Sequence, residues 1–138
     1  MAVVNVEQRE IVEIPFTMPD GTILPHPALV ISRNELQVDE DGMFYAVLIS
    51  TKNYHPEYTI RIEDEWLNKP MGRQSYFITH LVNMFNVDDV IRRNNAFIKK
   101  RFLRELLTRF WKILLDNFMD QDRAILIGDF STSPVLSC

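Results

Sequence analysis

Met43-Phe44-Tyr45-Ala46-Val47-Leu48-Ile49 is apolar at nearly every position. A continuous apolar run of strand length reads as a central β-strand buried on both faces. On its C-terminal side, residues 52–57 (Lys-Asn-Tyr-His-Pro-Glu) form a loop, and residues 58–62 alternate like a half-exposed strand. A charged connection with Pro70 and Gly72 follows. Residues 75–82 (Ser-Tyr-Phe-Ile-Thr-His-Leu-Val) read as another strand, and residues 96–99 as a last short one. On the N-terminal side, residues 32–42 are polar and acidic, hence a loop. Before them lies an apolar run at 28–31, stiffened at its start by Pro25-His26-Pro27. Asp20-Gly21 is a turn signal. Residues 10–16 (Glu-Ile-Val-Glu-Ile-Pro-Phe) read as a strand whose Pro15 puts it near an edge or its own end.

The period then changes. Leu103, Leu106, Leu107, Phe110, Leu114 and Phe118 recur at helical spacing, which predicts an amphipathic helix from about Lys100 to Phe118. Trp111 and Leu115 widen its apolar face, while Arg101, Arg104, Arg109 and Lys112 fall largely off it. Such a face either caps its own sheet or remains partly open for a second subunit. Beyond residue 119, Ile125 to Ile127 suggest one more strand and the last eight residues a frayed end. Short strands without intervening helices, followed by one helix, exclude a parallel βαβ architecture. The expected fold class is mainly β with a C-terminal helix, a small SH3-like antiparallel barrel of five to seven strands. Residues 1–119 form the one domain and 120–138 a C-terminal extension.

The chain has 138 residues, 46% hydrophobic and 25% charged, which suits one globular domain and excludes wholesale disorder. No apolar run approaches the roughly 20 residues of a membrane span, and the first ten residues lack the basic start of a signal peptide, so the expected location is the cytoplasm. The single cysteine, Cys138, makes neither an internal disulfide nor a metal site. His26, His55 and His80 have no metal-ligand spacing, so no metal and no cofactor are expected. The net charge of −4 is uneven. Residues 1–70 carry five Lys/Arg against twelve Asp/Glu, and residues 71–138 carry ten against seven. An acidic chain with a basic C-terminal half leaves nucleic-acid binding open on one face.

Three stretches resemble the MazF/PemK-type toxins of bacterial toxin–antitoxin systems. Ile11-Val12-Glu13-Ile14-Pro15-Phe16 leads through Asp20-Gly21 to His26-Pro27-Ala28-Leu29-Val30-Ile31-Ser32. Ala46-Val47-Leu48-Ile49-Ser50-Thr51 matches the family's next apolar strand, which ends in a Thr or Ser. A strand starting near Ser75-Tyr76 and the terminal helix complete the order, over roughly residues 8 to 118.

The resemblance implies an SH3-like barrel that forms a homodimer, cuts single-stranded RNA without a metal, and is blocked by an antitoxin protein. The family's catalytic arginine precedes the proline of the second strand, where this chain has His26. The family's strand-ending hydroxyl corresponds to Ser50. A histidine exchanges protons near neutral pH, which an arginine does poorly, and a serine hydroxyl can donate to phosphate. His26 and Ser50 are therefore the candidate catalytic pair. Candidate substrate contacts are Thr51, Lys52, Tyr54 (which can stack a base), Arg73 and His80. The alternative is a non-catalytic module using the same scaffold to bind a peptide or RNA. A cleft holding His26 and Ser50 with basic groups at its rim favours the enzyme; one lined by apolar and acidic groups favours peptide binding.

Overall fold

The computed structural model describes residues 5–118. Six strands form one antiparallel sheet: β1 (Glu10–Thr17), β2 (Ile23–Val30), β3 (Met43–Ser50), β4 (Thr59–Arg61), β5 (Tyr76–Asn86) and β6 (Arg92–Phe97), in the order β4-β5-β3-β2-β1-β6. Helix α1 (Asn34–Asp39) joins β2 to β3, and helix α2 (Lys100–Phe118) follows β6. The expected strand at Ile125 to Ile127, the extension from residue 120 and Cys138 lie outside the described residues. Among those residues no helix is long and apolar enough to cross a membrane.

The apolar run at residues 43–49 is the central strand it was expected to be. β3 lies between β2 and β5, and both its faces are buried. Val47 and Ile49 join Ile11, Leu29, Ile60 and Phe77 on one side, where Leu106 and Phe110 of α2 close the cluster. Ala46 and Leu48 join Val12, Ile14, Ala28 and Val30 on the other, under Val6 and Val87. The helical stripe is used only in part: Trp111 and Phe118 are 60% and 78% exposed.

The sheet is not closed into the expected barrel. β4 and β6 are its two edges. After β4, a 3₁₀ turn at Asp64–Trp66 carries the chain round to a single bridge, Leu67 to Ile98. The Lys99 amide donates to the Trp66 carbonyl there (2.7 Å). One short strand and a turn thus bring the two ends together without a continuous ladder.

Three other expectations are corrected. β2 starts at Ile23, so Pro25-His26-Pro27 lies within a strand. Pro25 faces Pro15 and Pro27 faces Glu13 on β1, whereas pairing with β3 begins only at Ala28, opposite Leu48. Prolines have no N–H to give to the β3 side, and a strand bonded on one side alone accommodates them. The acidic loop at 32–42 contains α1, held by buried Gln37, whose side-chain amide pairs with both backbone groups of Val6. β6 starts at Arg92, and Asn95 takes a left-handed φ of 57° where the β1–β6 register shifts; two asparagines that argue against a strand here make its bulge.

Candidate functional site

Because β1 pairs with β6 only through Glu13, and β2 with β3 only from Ala28, the far half of the β1–β2 hairpin stands off the sheet as a two-stranded ribbon. His26 sits at its root, half-buried, opposite Ile14. Its ring meets that of Phe16 edge-on at 5.6 Å. Side chains two residues apart share a face, so His26 belongs to the face of Ala28 and Ser50 to that of Leu48. These two residues are register partners. Carrying that register two residues further sets His26 opposite Ser50, past the last formed pair.

Ser50 ends β3, half-buried, and its Oγ accepts the backbone N–H of Lys52 (3.1 Å), which leaves its O–H to donate. On its other side Ser50 pairs with Tyr76 of β5, which pairs in turn with Arg61 of β4. One transverse row thus runs His26, Ser50, Tyr76, Arg61, with an imidazole at one end and a guanidinium at the other. Arg61 is exposed, with a Glu63 oxygen 3.9 Å from its Nε.

The other sequence candidates divide. Lys52, Tyr54 and His80 line one small cavity of about 160 Å³ together with His55, Ile78 and Leu81. Thr51 is exposed between Ser50 and Lys52. Arg73 lies elsewhere, in a cleft of about 440 Å³ shared with Arg61, Glu63, Asp64 and Glu65. Its cationic charge there sits among three carboxylates, a poor setting for a phosphate. Tyr76, Arg61 and His55 escaped the sequence reading. Tyr76 and Arg61 join the row only through pairing register, which no local pattern reveals. Histidine 80 is exposed because β5 bulges: Val47 pairs with Val82 and Leu48 with Ile78, so residues 79–81 have no partner on β3. Among the described residues no group of three or more His, Cys, Asp or Glu is placed to hold a metal ion.

No family model matches the sequence, and no curated protein matches it. Solved structures do. MazF from Deinococcus radiodurans in complex with MazE aligns over 80% of this chain and 97% of its own, with a TM-score of 0.61 at 14% identity. MazF of the same organism alone gives 0.61 at 13% identity, over 80% of this chain and 97% of that one. An endoribonuclease in complex with its cognate antitoxin, from a mycobacterial species, gives 0.59 at 11% identity, over 79% and 94%. The fold is that of the MazF toxins.

At such identities the likeness is one of backbone architecture, and the side chains of the site have to be judged on their own chemistry. β2 and β3 are neighbours in the sheet, and the loop after β3 carries Thr51, Lys52 and Tyr54.

Proposed function

We propose that this chain is a toxin-like endoribonuclease of a toxin–antitoxin system, which cuts single-stranded RNA without a metal through His26 and Ser50. The observation that supports this reading is the β2–β3 register, Ala28 opposite Leu48, which carried two residues further brings His26 and Ser50 to neighbouring positions on one face. Further support comes from the MazF-like fold and from Lys52, whose backbone amide donates to Ser50 Oγ and whose ammonium adds a cation two residues from it.

In this reading the His26 imidazole takes the proton of the substrate's 2′-hydroxyl. The freed oxygen attacks phosphorus, the bond from phosphorus to the 5′-oxygen breaks, and the proton passes on to that oxygen. The products are a 2′,3′-cyclic phosphate and a 5′-hydroxyl, with no net proton change. The Ser50 hydroxyl donates to a non-bridging phosphate oxygen as charge builds there. Thr51, Lys52, Tyr54 and His80 hold the strand on either side. Arg73 takes part only if the strand reaches its cleft. An antitoxin polypeptide blocks this site, and the active form is a cytoplasmic homodimer.

Inducible expression in a bacterium tests the reading. Wild type should slow growth and fragment cellular RNA, and His26→Ala should do neither. If wild type leaves both growth and RNA intact, the second reading, a non-catalytic binding module, takes its place; the acidic cleft around Arg73 is what favours it.

A further inference from the structure

We propose that the cavity bounded by Lys52, Tyr54, His55, Ile78, His80 and Leu81 is a subsite for one unstacked nucleobase of a bound single strand. The inference deepens the RNA-cutting reading, on which it rests for the identity of the strand. At about 160 Å³ the cavity suits one ring system rather than a run of chain. Its lining combines two aliphatic side chains, Ile78 and Leu81, with three rings, Tyr54, His55 and His80. The two imidazoles are braced by Tyr58, which meets His80 edge-on at 5.4 Å and His55 at 6.0 Å. Tyr58 is itself anchored, because the Thr79 hydroxyl donates to its carbonyl at 2.7 Å.

No carboxylate lines the cavity, and Lys52 contributes to its lining with its ammonium 5.8 Å from the Tyr54 ring centroid. Aliphatic and aromatic lining with a cation beside it is what a base with its flanking phosphate needs. The imidazoles can donate to or accept from the polar edge of that base, so they are the groups that would read its identity. The position is also apt. Ile78 of the lining pairs with Leu48, two residues before Ser50, and the Lys52 amide donates to the Ser50 hydroxyl. A base seated here would place its neighbouring phosphate near Ser50.

The test compares two probes: a 2′-O-methyl ten-nucleotide single strand, which cannot be cut, and an abasic backbone of the same length. Binding to each is measured by fluorescence anisotropy for wild type, Tyr54→Ala and Tyr54→Phe. Tyr54 is 75% exposed, so the fold does not depend on it. Wild type should bind the base-bearing strand roughly tenfold better than the abasic one. Tyr54→Ala should erase that difference, and Tyr54→Phe should retain it. Equal losses on both probes in Tyr54→Ala, or no binding of either by wild type, would overturn the subsite. Base-dependent binding without cleavage of ordinary RNA would instead overturn the nuclease reading and leave the subsite standing.

Discussion

Arg93 on β6 grips the carboxylate of Glu10 on β1 through two hydrogen bonds, Nε to Oε2 at 2.6 Å and a terminal nitrogen to Oε1 at 2.8 Å. Glu10 is fully buried and also accepts the Glu7 amide at 3.0 Å. The hydrogen bonds that Arg93 donates to Glu10 push its pKa up against the opposing effect of burial. An upward shift on an already basic group means that its contribution is fully present below arginine's ordinary range. Removing one partner strands the other. Arg93→Ala should therefore cost about 3–5 kcal/mol in urea unfolding, whereas Glu10→Leu combined with Arg93→Met should recover most of it. A single-mutant loss below about 1 kcal/mol would show that the pair does not lock the edge strand.

Phe110 packs edge-on against Phe77 of β5, with ring centroids 5.4 Å apart, and is one of two α2 side chains that are buried. Phe110→Ala should destabilise the domain by about 3–5 kcal/mol. Trp111→Ala, one residue away and exposed, should cost far less in the monomer. Similar losses from the two would mean that α2 docks on a different face.

The tip of the β1–β2 hairpin carries a pH-dependent turn. Asp20 Oδ1 accepts the Thr22 amide at 2.8 Å, and this bond, with the Thr22 side chain second, lowers the Asp20 pKa. A lowered carboxyl favours the ordered turn above the usual aspartate value of roughly 4, and that preference is lost as the pH falls through the folded value. In NMR titration the Thr22 amide should shift with an apparent pKa below that of a free aspartate. In Asp20→Asn it should not titrate. A Thr22 amide indifferent to pH in wild type would refute the turn's role.

Much of the fold was legible because it rests on period. The run at 43–49 and the stripe from Lys100 declare a buried strand and a helix without help from the rest of the chain. β2 was read short because Pro25 and Pro27 look like breakers; they are tolerated where β3 has not yet joined, a fact of neighbours. Closure into a barrel also depends on neighbours, since β4 is only three residues long and Leu67 offers one bridge. At the proposed site, His26 and Ser50 come from the order of elements that resembles the toxin family, and Lys52, Tyr54 and His80 from residue type. Tyr76 and Arg61 reach Ser50 only through ladder register. Arg73 looked like a phosphate contact because its carboxylate neighbours come from an earlier stretch of the chain.

The apolar face left on α2 bears on assembly. Leu103, Leu107 and exposed Trp111 line a broad groove of about 670 Å³ with Arg104 and Arg33 at its sides. Sedimentation velocity at micromolar concentration should show a species near twice the chain mass of 16.3 kDa. Trp111→Asp should shift it toward monomer. A single 16.3 kDa species for wild type would contradict the dimer.

The central claim is that His26 moves the proton and Ser50 steadies the phosphate. Cleavage of a labelled single-stranded RNA in EDTA, by wild type, His26→Ala and Ser50→Ala, tests it most directly. Every proton in the scheme passes through a side chain, so wild type should cleave in the chelator and leave a 2′,3′-cyclic phosphate. Loss of a general base commonly costs on the order of 10²–10⁴ in rate, so His26→Ala should be nearly inactive, and Ser50→Ala should lose less. Cleavage by His26→Ala at the wild-type rate would contradict the assignment outright.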